Sequence, residues 1–289
     1  MKKLLGIAAV TAILGASLTA GKVSGTQTSN CCSSRDNIAD TIVVPGGRWL
    51  DTDMKVTVAV PASYRCEGDT AHYPTVYLLN GHGGSYKNWG TLLDLDSAAT
   101  AYGCIIVCPS GMNSWYWDSP VKPGMQMESF IVNTLIPAVD SLYRTIPDRS
   151  QRAITGFSMG GHGALWLAIR HKDLFSSVGS TSGGVDIRPF PTRWNMPDML
   201  GSKKDNPARW DAHTIATAVD SLKPGELNII FDCGTDDFFY KVNCSLDSTM
   251  NARGIHHTFI TNPGAHTASY WRRSIIPQLD FFKAKRAGR

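Results

Sequence analysis

The sequence predicts an α/β fold: a mostly parallel central sheet with helices on both faces. Three observations carry this reading. Short strand-length apolar runs alternate with longer stretches of helical period. Several of those runs, such as Thr75 to Leu79 and Cys104 to Cys108, are continuously apolar, as in strands covered on both sides. The third is Gly156-Phe157-Ser158-Met159-Gly160, which stands between a strand-like run, Arg152 to Thr155, and a helix-like run, His162 to His171. Sheets of this kind bind ligands beyond the C-terminal ends of their strands, so the loops there are where chemistry is expected.

The N-terminus reads as a targeting segment. Met1-Lys2-Lys3 is positive, Leu4 to Leu14 is apolar but too short to span a bilayer, and small residues follow through Gly25. Residues 1–25 are therefore expected to be a secretory signal peptide, cleaved near residues 20–25, which makes the protein secreted or periplasmic. Residues 26–39 form a polar tail, and residues 40–289 a single domain. No later stretch reaches the length of a membrane helix, so no stable membrane insertion is expected once the signal is removed. The net charge of +4 is spread along the 289 residues and forms no basic stripe, which argues against a nucleic-acid partner.

The chain carries seven cysteines, an odd number that leaves at least one unpaired if all pairing is internal. Cys104 and Cys108 face the same way along one strand about 13 Å apart, too far to bridge, and read as core filler. Cys233 with Cys244, and Cys66 with Cys31 or Cys32, are the candidate pairs. No spacing suggests structural zinc, and neither metal nor cofactor is called for.

Thr41 to Val44 and Met54 to Val60 alternate in character and read as antiparallel strands. Thr75 to Leu79 is a buried strand that runs into Asn80-Gly81-His82-Gly83-Gly84, where glycines let backbone approach a ligand closely. A helix is expected over residues 86–102 and a strand over 104–108. The loop Asn113 to Pro120 is dense in rings; Trp115, Tyr116 and Trp117, with Asp118, are expected to line a binding cleft. Met125 to Ile146 has helical period, with Pro137 as a kink. Ser176 to Ser182 is a strand. Residues 183–226, rich in proline, read as an irregular insertion that caps the site, with a helical piece near 208–222. A strand over 228–233 leads to Gly234-Thr235-Asp236-Asp237. A helix over 242–253, a strand over 256–261, the turn Pro263-Gly264-Ala265-His266 and a helix over 269–285 complete the chain.

Four strand ends thus carry unusual chemistry, and three of them bring Ser158, an aspartate and His266 in that order. A serine hydroxyl needs a base to become nucleophilic, and a histidine titrates near working pH. An acid must fix the imidazole tautomer. Asp237, three residues past Gly234, fits that role, with Asp236 as the alternative. Backbone N–H groups of His82 and Met159 are the candidate donors for an oxyanion. The remaining histidines sit in expected helices, a strand or a remote loop and read as structural.

Leu78-Leu79-Asn80-Gly81-His82-Gly83-Gly84, Gly156-Phe157-Ser158-Met159-Gly160-Gly161, Cys233-Gly234-Thr235-Asp236-Asp237-Phe238 and Pro263-Gly264-Ala265-His266 together resemble the esterase D-like family of α/β-hydrolases. That group includes S-formylglutathione hydrolases, tributyrin esterases, feruloyl and acetylxylan esterases of carbohydrate esterase family 1, and mycolyltransferases. The resemblance spans roughly residues 40–285, and Asn80 departs from the histidine many relatives have there. It implies the α/β-hydrolase fold and a serine esterase acting on small-molecule or oligosaccharide esters, with an acyl group passing through Ser158. Two other readings share the fold: an acyltransferase to a sugar hydroxyl using the same triad, and a non-catalytic glycan-binding protein.

Overall fold

The computed structural model describes residues 39–66 and 68–287. The expected signal peptide, nearly all of the expected tail and Cys31 and Cys32 lie outside them. The described strands are β1 (Asp40–Val44), β2 (Met54–Ala59), β3 (Thr75–Leu79), β4 (Ile105–Pro109), β5 (Arg152–Gly156), β6 (Ser177–Thr181), β7 (Asn228–Gly234) and β8 (Thr258–Asn262). They form one sheet in the order β1-β2-β4-β3-β5-β6-β7-β8. β1, β2 and β4 pair antiparallel, and every pair from β4 to β8 is parallel.

β3, β4, β5, β6 and β7 are covered on both faces, which is why the runs read as continuously apolar, whereas β8 at the sheet edge is largely exposed. Val76 and Leu78 of β3 pack on one side with Trp89, Ala99 and Phe282, whereas Tyr77 and Leu79 pack on the other with Phe130, Leu165 and Phe175. The first layer comes from α1 (Asn88–Leu92), α2 (Leu95–Tyr102) and α10 (Ala268–Ala287). The second comes from α3 (Met127–Phe130), α4 (Ile136–Leu142), α5 (Met159–Arg170), α6 (Met196–Leu200), α7 (Pro207–Ala212), α8 (Ile215–Ala218) and α9 (Tyr240–Ala252).

Several expected helices are divided. The stretch over 86–102 becomes α1 and α2, because Asp94 caps a fresh start by accepting from the Ser97 N–H at 3.0 Å. The stretch over 125–146 is helical over 127–142, but Ile131–Leu135 is a π turn. Pro137 follows two residues later, and its missing N–H makes a regular i→i−4 ladder impossible there. Met127, Phe130, Ile131, Leu135 and Val139 are buried as the period requires, but Leu142, at the last turn, is exposed. The piece near 208–222 breaks into α7, α8 and a short 3₁₀ turn.

The cysteine expectations divide too. Cys104 and Cys108 are buried and free, but Cys233 and Cys244 are also free, so the pair expected of them does not form. Cys66 is disulfide-bonded. Among the described residues, no helix is long and apolar enough to cross a membrane.

Candidate active site

β5 ends at Gly156 and α5 begins at Met159, leaving two residues to turn the chain. Ser158 takes φ 59° and ψ −120°, a backbone state costly for any residue with a side chain. The surroundings hold it there. Its N–H donates to the Thr181 carbonyl at 2.9 Å, and the Gly160 N–H donates to the Phe157 carbonyl at 2.8 Å. A Cβ on Gly160 would strike the Leu79 carbonyl, and one on Gly156 would strike the Gly160 backbone. The two glycines of the pentapeptide therefore let β3, β5 and α5 meet beneath the serine.

Two further strand ends converge on it. His266 Nε2 lies 2.8 Å from Ser158 Oγ, and His266 Nδ1 lies 2.8 Å from Asp237 Oδ2. With Nδ1–H donating to the carboxylate, Nε2 is free to accept the serine proton. The Asp237 side chain is fully enclosed, and its other oxygen accepts from the Phe239 N–H at 2.8 Å. Asp236, the alternative acid, is exposed at the surface of the same turn. The turns of Asp237 and His266 are stitched together by the Asp236 N–H donating to the Gly264 carbonyl at 2.9 Å. The ring of His266 sits between Phe238, at 4.3 Å, and Trp271, at 5.1 Å.

The loop after β3 closes the site from the other side. A Cβ on Gly81 would collide with the Phe157 ring and lie 3.3 Å from Ser158 Cβ, so this glycine is what brings the loop beside the serine. Neither the His82 nor the Met159 N–H donates to a protein acceptor among the described residues. Both are thus available to an oxygen placed over Ser158. The His82 side chain points elsewhere, with Nε2 2.8 Å from Asn195 Oδ1.

The aromatic loop does not line the cleft. Trp115, Tyr116 and Trp117 are at most 1% exposed. Three adjacent rings are costly in water, and here packing down wins over lining a groove. Trp117 Nε1–H donates to His162 Nε2 at 2.8 Å, and Trp115 Nε1–H to the Trp194 carbonyl at 3.0 Å. Asp118 accepts from the Ser129 N–H at 2.9 Å and from its hydroxyl at 2.5 Å, anchoring α3 rather than meeting a ligand. Tyr116 ties the site together. Its ring fills the space a side chain on Gly163 of α5 would need, and its hydroxyl donates to the Asn80 carbonyl at 3.0 Å. Burial pushes the Tyr116 phenol far above its usual range, so it stays a donor. Tyr116→Phe is expected to lower stability by about 1 to 3 kcal/mol and kcat about tenfold, as the Asn80–Gly84 loop loosens. Thermal unfolding together with kcat on an activated ester checks this; a variant unchanged in both would show that the bond supports nothing.

The cleft above Ser158 has a volume of about 380 Å³, and its walls include His82, Asn88, Phe157, Trp194, Phe238 and Trp271. Trp194 and Phe238 stack at 5.5 Å with 21° between their planes, and Phe238 is half exposed. Trp194 comes from the expected capping insertion. Phe238 and Trp271 were legible only as neighbours of Asp237 and His266, since a ring beside a catalytic turn carries no periodicity of its own.

The parallel sheet, the strained serine turn and the serine–histidine–aspartate relay define an α/β-hydrolase, and the chain is a carboxylic ester hydrolase. It belongs to the family described as "Putative esterase", which it matches over residues 48–282. It is similar to an acetyl esterase of Caldicellulosiruptor saccharolyticus, 26% identical over 74% of this chain and 84% of that one. Among solved structures it resembles a ferulic acid esterase, at 26% identity and TM-score 0.72, covering 86% of this chain and 97% of the other. It also shares its fold with FphF, a fluorophosphonate-binding serine hydrolase of Staphylococcus aureus, at 19% identity and TM-score 0.74 over 85% of this chain and 98% of that one.

Proposed function

We propose that the chain is an exported serine esterase that cleaves acetyl, other short acyl or feruloyl esters carried by carbohydrate. The observation that carries the chemistry is the continuous relay Ser158 Oγ–His266–Asp237 Oδ2, each link 2.8 Å. Ser158 Oγ attacks the ester carbonyl as His266 Nε2 takes its proton. The negative oxygen that forms is held by the His82 and Met159 N–H groups. His266 then returns the proton to the leaving alkoxide, so the alcohol departs and the acyl group stays on Ser158. A water, deprotonated by His266, repeats the sequence and frees the acid. Asp237 keeps the proton of Nδ1 in place throughout and stabilises the imidazolium.

The substrate class is supported by the aromatic wall of Trp194 and Phe238 and by the names of the similar acetyl and ferulic acid esterases. Export is supported by the charged, apolar and small-residue succession over residues 1–25. The test is a panel of p-nitrophenyl acetate with acetylated and feruloylated xylo-oligosaccharides. Trp194→Ala should raise KM for the feruloylated members about threefold to tenfold, the worth of a lost aromatic contact, and leave kcat on p-nitrophenyl acetate nearly unchanged. Failure to turn over any carbohydrate ester while p-nitrophenyl acetate is hydrolysed would remove the substrate assignment and keep the chemistry.

A further inference from the structure

Three glycines, Gly81, Gly83 and Gly84, flank His82 in the loop after β3. They bring the loop against Ser158 but leave its backbone a wide choice of conformations. The first residue of the loop is fastened from below. Asn80 Oδ1 accepts from the Gly111 N–H at 2.8 Å, and the Asn80 carbonyl takes the Tyr116 bond described above. A turn bond from the Gly84 N–H to the Gly81 carbonyl, at 3.1 Å, shapes the loop without tying it to its surroundings. Two asparagines tie it on the far side of Gly81. Asn113 Oδ1 accepts from the Gly83 N–H at 2.6 Å, and Asn195 Oδ1 lies 2.8 Å from His82 Nε2.

These asparagines stand in matching turns. Met112 and Asn113 have φ 49° and 55°, and Trp194 and Asn195 also have φ 49° and 55°. Asparagine tolerates left-handed backbone better than most residues, whereas a methionine or a tryptophan takes it only at a cost. In each turn such a pair delivers an asparagine oxygen to the same loop. One comes from the segment after β4 and the other from residues 183–226. The direction of the second bond is set by a neighbour. Asn195 Nδ2 donates to Asp198 Oδ2 at 2.7 Å, and a carboxylate oxygen accepts, so Asn195 turns Oδ1 toward His82 and His82 Nε2–H donates to it.

Taking the His82 N–H as an oxyanion donor, as proposed above, we infer that Asn113 and Asn195 are positioning residues for that donor. His82 is held by its ring on one side and through the next peptide on the other, so it has little room to turn about its Cα. Its own N–H therefore stays aimed at the oxygen over Ser158. Neither asparagine touches the reacting atoms. Each acts before the reaction, because a donor already in place needs no reorganisation as charge develops. Bonds this exposed add little to stability, so their loss is read in the rate and not in unfolding.

The test replaces each asparagine in the full chain, as Asn113→Gly and Asn195→Gly. Glycine keeps a left-handed turn without strain and removes only the acceptor. Release of p-nitrophenolate is followed from p-nitrophenyl acetate and from its thiono analogue, in which C=S replaces C=O. Sulfur is a weak acceptor, so an aligned donor favours the oxygen ester. On the oxygen ester each variant should lose about tenfold in kcat and kcat/KM together, less than the loss of about a hundredfold or more when an oxyanion donor is removed outright. On the thiono ester the loss should stay under about twofold, so the preference for oxygen falls. A general loosening of the fold would instead slow both esters alike. His82→Ala keeps the N–H but loses the ring, and adding it to Asn195→Gly should cost nothing further, because both remove one bond. Variants that keep the wild-type preference for oxygen overturn the inference whatever their activity, and so does a His82→Ala effect that multiplies with that of Asn195→Gly. A wild type with no preference for oxygen would overturn the oxyanion reading itself, and the inference with it.

Discussion

Ser158→Ala should reduce turnover of p-nitrophenyl acetate by about a million-fold, close to the loss seen when a triad nucleophile is removed from other serine hydrolases. The geometry explains why the effect should be so large and so local. Alanine retains the Cβ, so the φ of 59° costs it what it costs serine, and the bonds that hold the turn come from backbone. Stability should therefore stay within about 0.5 kcal/mol of wild type. Activity should collapse because, among the described residues, Oγ is the only atom within hydrogen-bond distance of His266 Nε2 that can attack a carbonyl. Because the relay acts as a unit, adding His266→Ala to Ser158→Ala should cost little more. Steady-state kinetics on the single and double variants, with unfolding curves for each, checks the result. Turnover that survives in Ser158→Ala would move the chemistry to another residue and sink the acyl-enzyme scheme.

Reading the sequence located this relay but misjudged what surrounds it, and the reason is physical. A strand end followed by glycine, serine or histidine stands out because local backbone geometry demands those residues: Gly81, Gly156 and Gly160 are each required by a close approach. The sheet was equally legible, since two-sided burial leaves continuous apolar runs. Trp115, Tyr116 and Trp117 fooled the reading because a loop that leaves a strand end can turn inward as well as outward. What turns this one inward is His162, four residues past Ser158, a partner that composition does not reveal. Likewise Cys233 and Cys244 flank a suitable loop, but both are free, with Cys233 buried inside β7. Pairwise contacts between segments distant in the chain decide these cases, and no local pattern encodes them.

His162 and Asp232 make the acid stability of the fold depend on two opposing groups. Burial pushes His162 down to about 3, although its Nδ1–H bond to the Gly184 carbonyl resists this, so the imidazole is neutral in the folded protein. Below its unfolded value of 6.5 the unfolded chain takes up the proton first, and stability falls as pH drops from there toward 3. Burial pushes Asp232 the other way, from 3.8 up to about 7. Its contribution is fully present below 3.8 and is lost as pH rises through 7. Between those limits the slopes are opposite, and wild type should show only a shallow dependence from this pair. Asp232→Asn removes one side of the balance. Its stability relative to wild type should therefore improve by about 3 to 4 kcal/mol between about pH 4 and about pH 7.5, at 1.36 kcal/mol for each unit of pKa shift. The acid limb should steepen in the variant, since the loss at His162 is then uncompensated. Urea unfolding of both proteins across this range reads the difference directly, and any constant cost of the substitution cancels in it. A gap that does not change with pH would mean that Asp232 is ionised in both states.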